Sequence, residues 1–450
     1  MDKPAILGGK PLFGYEIPTR TCIGSEEKNA VNDVLDSGEL SSFLGAPGKY
    51  FNGGKYIKRF EKNFSETINA KHAISVNSWT SGLMTIMGAI GISPGDEIIC
   101  SPYTMSASAT CALFYGGVPI FADIERDSYC LDPISIEKLI TPKTKAIIVV
   151  HLFGGVANME SIMSIADKHG LIVVEDAAQA PGVTYKEKSV GLHGHIGGFS
   201  LNYHKHIHAG EGGVIVTNND KYALRCRMIR NHGENYVDMN PKLPIDNTIG
   251  GNYRLTEIQA AIAIEQLKKL TNILEYRNIL AKCLTDGIKS IHGLEGAVVR
   301  NNSNHSWYLY PIRFNAKEVG MSRDVFVEAV NAEFKDPKYM EQVILTYGYV
   351  RPLYLSRVYQ EKIAIGGKGF PFNYSGKRYY YPKGLCKVAE DCYEDSLILT
   401  SIVREPITIK IINDLVKAMK KVILFNNEIM DKSGSISSTN VSTIEYLGKI

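Results

Sequence analysis

Between residues 72 and 174, apolar runs of strand length alternate with amphipathic stretches of helix length. Residues 72–76, 97–100, 118–122, 145–150 and 171–174 read as strands, and 80–90, 107–115 and 159–169 as helices. Short, nearly continuous apolar strands separated by helices predict an α/β fold, with a mainly parallel sheet covered by helices on both faces. Ligands of such sheets bind beyond the carboxyl ends of the strands, so the loops that follow them are where chemistry is sought.

The flanks are organised differently. Residues 1–24 carry three prolines and four glycines and predict an extended N-terminal arm. Residues 26–37 read as a helix, and 45–54 as a glycine-rich irregular stretch. Ile57, Phe60, Phe64 and Ile68 recur at helical spacing and predict a helix with one buried face. Two long helices are expected over 255–270 and 272–288. A strand at 308–314 and helices at 323–332 and 407–422 then predict a smaller C-terminal α+β domain. The expected division is an arm over 1–24, a large domain over 25–270, a small domain over 271–430 and a flexible tail over 431–450, where polar residues of low complexity dominate.

Composition narrows the function classes. A net charge of +3 on 450 residues is too balanced for a nucleic-acid binder or a polybasic membrane anchor. No apolar run approaches a membrane span, and the first residues do not read as a signal peptide. The eight cysteines are scattered without zinc-ligand spacing, so a reduced, cytoplasmic setting is the expectation.

Candidate chemistry gathers around the segment Phe199 to Gly213, FSLNYHKHIHAGEGG. Lys205 lies on a turn between two apolar strands, fenced by Gly210, Gly212 and Gly213. A lysine so placed, once shielded from water, becomes an amine nucleophile, whereas a solvated turn lysine is the ordinary outcome. Asp176 directly follows a buried strand and either caps the next turn or faces a protonated pyridine nitrogen. Gln179, three residues on, either reaches a ring hydroxyl or faces solvent. Ser78, Trp79 and Thr80 lie on a hydroxyl-rich turn between a strand and a helix, which suits a phosphate or an ordinary helix cap. Ser200, on the approach to Lys205, offers a further hydroxyl. A lysine, a strand-end aspartate and a phosphate-sized helix start together match the needs of pyridoxal 5′-phosphate.

With these motifs in order, the chain resembles the DegT/DnrJ/EryC1/StrS sugar aminotransferases, pyridoxal phosphate enzymes of fold type I, like aspartate aminotransferase. The resemblance covers about residues 24–424 and includes Pro94-Gly95-Asp96-Glu97, Glu175-Asp176-Ala177-Ala178-Gln179 and Gly210-Glu211-Gly212-Gly213. Arg230-Asn231-His232-Gly233, Gly251-Asn252-Tyr253-Arg254-Leu255 and Arg351-Pro352-Leu353-Tyr354 extend it. It implies a seven-stranded sheet in the large domain. It also implies that Lys205 binds the cofactor covalently and moves the substrate proton, that Asp176 pairs with the pyridine nitrogen and that Gln179 contacts the ring oxygen. Thr80 and Ser200, with Ser78 and the backbone around Trp79, would hold the phosphate. Asn252 would reach the phosphate of a neighbouring subunit, in a homodimer with shared sites.

Two positions depart from the family pattern. Trp79 stands where relatives usually have glycine, and Met105 where they usually stack an aromatic ring on the cofactor. A methionine can cover a ring with its polarisable sulfur, and Tyr103 is the alternative. His204, His206 and His208 alternate, which on an extended segment shares one face, yet no carboxylate or cysteine set completes a metal site. They are expected to line the cleft or pack locally.

The expected activity is therefore transfer of an amino group from glutamate or glutamine to a keto-sugar, most naturally a nucleotide-linked one. An aminocyclitol ketone or a sugar phosphate is an alternative acceptor. A pyridoxal phosphate-dependent sugar dehydratase is the rival within the same chemistry, but such relatives carry histidine where Lys205 stands. A non-catalytic scaffold that kept the fold is the rival from another class.

Overall fold

A computed structural model describes residues 2–18, 22–243, 245, 248–336, 338, 339 and 342–433. Its centre is a seven-stranded sheet. The strands are β1 (His72–Val76), β2 (Glu97–Cys100), β3 (Val118–Phe121), β4 (Thr144–Val150), β5 (Ile172–Asp176), β6 (Ile196–Ser200) and β7 (Gly213–Thr217). They lie in the order β1-β7-β6-β5-β4-β2-β3. All neighbouring pairs are parallel except those of β7, which runs antiparallel to both β1 and β6. Every residue of β2, β6 and β7 is buried, as a sheet covered on both faces requires.

The helix Lys55–Ile68 shows how sequence becomes packing. Ile57, Phe60, Phe64 and Ile68 are buried on one face, and Phe64 meets Phe199 of β6 with ring centroids 5.3 Å apart. The first turn of the helix is capped from a distance. The Glu257 carboxylate accepts from the backbone N–H groups of Gly54, Tyr56 and Ile57 at 2.9, 2.7 and 3.3 Å. A carboxylate there satisfies orphan donors and complements the positive end of the helix.

Glu257 begins a helix that corrects one expectation. Residues 255–288 do not form two helices; one helix runs from Glu257 to Ile288, 32 residues or about 48 Å. Neither proline nor glycine interrupts the sequence near residue 271, so nothing stops the hydrogen-bond ladder. The helix serves two apolar cores. Leu267 and Leu270 belong to the core around the large sheet, and Leu280, Leu284 and Ile288 to a second core. The second core surrounds a four-stranded antiparallel sheet of Leu294–Glu295, Tyr310–Phe314, Leu397–Thr400 and Thr346–Tyr347. The helices Arg323–Ala332 and Ile409–Leu424 pack on it.

The N-terminal arm is short structure rather than simply extended chain. A 3-10 turn at Ala5–Leu7 precedes a strand, Phe13–Glu16, which pairs in parallel with Phe334–Asp336. Glu333 ties it down: its carboxylate accepts from Ala5 N at 2.9 Å and Leu12 N at 3.1 Å. The same carboxylate meets Lys421 Nζ at 2.9 Å, with both side chains fully buried. At the other end, the helix Asn426–Ser433 occupies the first three residues of the expected tail, and the remainder, 434–450, lies outside the described residues.

The stretch between residues 354 and 381 carries no recognisable pattern in the sequence, yet it packs on the β3 side of the large sheet. Phe121 of β3 meets the rings of Tyr354, Tyr359 and Tyr381. Lys377 Nζ reaches the buried carboxylate of Glu97, in β2, at 2.5 Å. Among the described residues, no helix is long and apolar enough to cross a membrane.

Candidate active site

The loop between β6 and β7 presents Lys205. Asn202 organises it: Asn202 O accepts from Lys205 N at 2.8 Å, Asn202 Oδ1 from His204 N at 3.2 Å, and Asn202 Nδ2 donates to Glu211 Oε1 at 2.9 Å. Leu201 N donates to Gly212 O at 2.9 Å and closes the base of the loop. Gly212 has φ +150, a conformation that L side chains rarely adopt. The Lys205 ammonium stands 4.3 Å from the ring centroid of Tyr308.

The three histidines of this loop do not share a face, because the segment is a series of turns and not an extended strand. His204 lines the cleft beside Lys205. His206 is wholly buried, with Nε2 2.8 Å from Ser306 O. His208 Nε2 lies 2.7 Å from Cys22 Sγ. Among the described residues, no group of three or more side chains is arranged to hold a metal ion. Burial, then the positive charges of Lys205 and Arg404, lower the His204 pKa to about 4.

Asp176 ends β5 at the carboxyl edge of the sheet and is nearly buried. Its Oδ2 accepts from Ser108 Oγ at 2.7 Å, and its Oδ1 from Trp79 Nε1 at 2.8 Å and Ala178 N at 3.1 Å. The preceding carboxylate points to the other face of the strand. Glu175 there pairs with fully buried His151 at 2.8 Å and accepts from the N–H groups of Gly191 and Gly194. Burial pushes the Glu175 pKa up, but the His151 hydrogen bond and charge, with the Gly194 N–H, outweigh it and hold it below the usual value.

Gln179 is held at both ends of its amide. Its Oε1 accepts from Phe153 N at 2.7 Å, and its Nε2 donates to Tyr349 OH at 3.1 Å, leaving a second amide hydrogen to offer. Across from it, the helix Trp79–Ala89 begins with Ser78 as its cap, whose Oγ accepts from Ser81 N at 3.1 Å. Thr80, in the first turn, is exposed to the cleft. Helix starts of this kind leave backbone donors for an anion.

One cleft of about 480 Å³ brings these groups together. Lys205, Asp176, Gln179 and Ser200 line it, as do Ser78, Trp79, Thr80 and Met105. Asn252 does not; it lies exposed, and its Oδ1 accepts from Arg254 Nε at 2.7 Å. Tyr103 is excluded as a stacking residue, because it is fully buried and its hydroxyl accepts from Tyr349 N at 2.8 Å. Met105 is exposed and lines the cleft. Ser108, Tyr308, Tyr349 and Arg404 also line the cleft, and no sequence motif marks them. The last three come from parts of the chain a hundred residues or more beyond Lys205, and no local spacing ties them to it.

An amine, a buried carboxylate and hydroxyls at a capped helix start, all lining one cleft, form a donor set that fits a phosphorylated pyridine aldehyde. The sequence profile of the DegT/DnrJ/EryC1/StrS aminotransferase family matches residues 21–368. The chain belongs to that family. It is a pyridoxal phosphate-dependent aminotransferase of fold type I. The spore coat polysaccharide biosynthesis protein SpsC of Bacillus subtilis is 32% identical over 363 residues, covering 79% of this chain and 88% of its own. GDP-perosamine synthase of Caulobacter vibrioides is 34% identical over 313 residues, 69% of this chain and 80% of its own. Among solved structures, the aminotransferase from Psychrobacter cryohalolentis superposes with a TM-score of 0.75 at 29% identity, covering 91% of this chain and 99% of its own. PseC of Helicobacter pylori, an aminotransferase involved in the biosynthesis of pseudoaminic acid, gives 0.73 at 26% identity over 90% and 98%.

Proposed function

We propose that this aminotransferase moves nitrogen from glutamate or glutamine to a ketone on a nucleotide-linked sugar. The observation that carries the reading is the convergence of Lys205, Asp176 and the helix start at Ser78–Thr80 on one cleft that is also walled by Tyr308, Tyr349 and Arg404. The family match and the polysaccharide and GDP-sugar relatives support amino-sugar biosynthesis by transamination.

Bound in the cleft, pyridoxal phosphate supplies an electron sink that stabilises negative charge on the substrate carbon. Asp176 would keep the ring nitrogen protonated, and its three donors hold the carboxylate in place. Ser78, Thr80 and Ser200 would hold the phosphate with the backbone amides of the helix start. The second amide hydrogen of Gln179 would be offered to the ring oxygen, and Met105 would cover the ring. Lys205 would hold the cofactor through its amine, and that amine would be the base that carries the substrate proton. Arg404 offers a cation for the donor carboxylate or the carrier phosphates, and the tyrosine hydroxyls suit a polyhydroxylated acceptor. Asn252, outside its own cleft, serves a second copy of the chain in a homodimer.

A two-stage incubation tests this. Glutamate or glutamine alone should change the cofactor spectrum and release one keto acid per site. A nucleotide-linked keto-sugar added afterwards should restore the spectrum and emerge as an amino-sugar. A sugar product that has lost a hydroxyl and gained no nitrogen, or a spectrum no amino acid alters, would remove the reading.

A further inference from the structure

The Trp79 side chain does work that its backbone place at the helix start does not demand. Its indole is 6% exposed and donates from Nε1 to Asp176 Oδ1 at 2.8 Å. Two glycines clear the space it fills. A Cβ on Gly198 of β6 would meet the Val214 carbonyl oxygen of β7 at 2.2 Å and the indole at 2.3 and 2.4 Å, and one on Gly82, a turn along the helix, would meet the indole at 2.7 Å. Neither glycine adopts a positive φ, so backbone conformation does not call for glycine at either position. Glycine weakens both a strand interior and a helix interior; room for the indole accounts for Gly82, and room for the indole together with the β7 backbone for Gly198.

The hydrogen bonds around Asp176 are asymmetric. Oδ1 takes two donors, Trp79 Nε1 and Ala178 N, which use its two acceptor positions. Oδ2 takes one, from Ser108, and keeps a second position to offer. The carboxylate is thereby fixed in rotation, with Oδ2 as its available face. We propose that the Trp79 indole is a positioning residue for the cofactor: by occupying Oδ1 it turns Asp176 Oδ2 toward the ring nitrogen. The inference rests on the reading of Asp176 as the partner of that nitrogen. It also gives the departure from glycine at position 79 a function, because a glycine there has no side chain to donate.

The test is a double-mutant cycle on the affinity of the full-length apoprotein for pyridoxal 5′-phosphate, measured by equilibrium dialysis. Apoprotein melting temperatures accompany each variant. W79F, which keeps an aromatic ring and loses the N–H, should weaken binding about tenfold, as loss of a hydrogen bond to a charged group does. It should also move the pH midpoint of the bound cofactor's absorption, which a packing role would leave in place. D176A should weaken binding further, and W79F added to D176A should cost nothing more. Wild-type affinity in W79F, or additive losses in the double variant, would overturn the positioning role while leaving Asp176 in its own. Wild-type affinity in D176A would remove the reading of Asp176 and this inference with it. If W79F folds poorly, benzothienylalanine at position 79 keeps the fused rings and replaces the N–H with sulfur. The same tenfold loss supports the proposal, and unchanged affinity overturns it.

Discussion

Lys205 and Tyr308 face each other across the seam between the two cores, the ammonium 4.3 Å from the ring centroid. Lys205 belongs to the loop between β6 and β7, and Tyr308 to the run leading into the second sheet at Tyr310. A cation over an aromatic face gains about 0.5–2 kcal/mol according to how dry the site is. The Lys205 ammonium is therefore held by both halves of the molecule. Lys205→Ala should melt within a few degrees of the wild type, because no core volume is lost. It should lose nearly all turnover. Borohydride should fix cofactor mass on the wild-type chain and none on the variant, as read by mass spectrometry.

His204 predicts an acid-sensitive window. Burial and two neighbouring positive charges lower its pKa in the fold from 6.5 to about 4. The folded state thus favours neutral His204, and the unfolded chain binds the proton first. Its contribution is fully present above pH 6.5 and is lost as pH falls toward 4. His204→Asn should flatten the stability profile between those values in urea titrations at successive pH. Glu175 acts in a lower window, since its contribution is lost only as pH falls from 4.5 to its depressed value.

The fully buried pair Glu333–Lys421 predicts a large and asymmetric effect. Glu333→Gln leaves the lysine charge unpaired and should destabilise by about 3–5 kcal/mol. Replacing both residues with methionine should recover most of that loss. Because Glu333 also accepts from Ala5 and Leu12, Glu333→Gln should make the arm the earliest site of proteolytic cleavage. Equilibrium unfolding and limited proteolysis check the two halves of the prediction.

Shared sites are tested by mixing. Asn252→Ala and Lys205→Ala proteins, each inactive, should regain activity when combined, up to about a quarter of the wild-type value, since half of the random pairs are hybrids with one complete site of two. No recovery after demonstrated subunit exchange would mean that Asn252 does not serve a neighbour.

Much of the large sheet was legible because strand and helix periods differ, and because Lys205 and Asp176 sit at strand ends where α/β sheets bind ligands. Partners joined only by folding were not legible. Ser108 lies 68 residues before Asp176, and nothing in its neighbourhood marks it as a donor to that carboxylate. Tyr349 is 170 residues from Gln179. Tyr103 is buried while Met105 is exposed at the cleft, a difference that two apolar residues so close in sequence do not reveal. The alternation of His204, His206 and His208 misled for another reason: the period-two rule holds only on an extended backbone, and this loop turns at nearly every residue. Trp79 was noticed only as an oddity, because its counterparts Gly82 and Gly198 are small for a reason visible only in three dimensions.

The unbroken helix Glu257–Ile288 has a practical side. A gene divided at residue 270 would split a continuous rod, leaving Leu267 and Leu270 on one fragment and Leu280, Leu284 and Ile288 on the other. Each fragment would carry a frayed end and an apolar stripe meant for its own core. Split-protein reporters, domain swaps between relatives and truncation libraries should therefore keep the rod whole and place their joints elsewhere, beyond Ile288 or before Thr256.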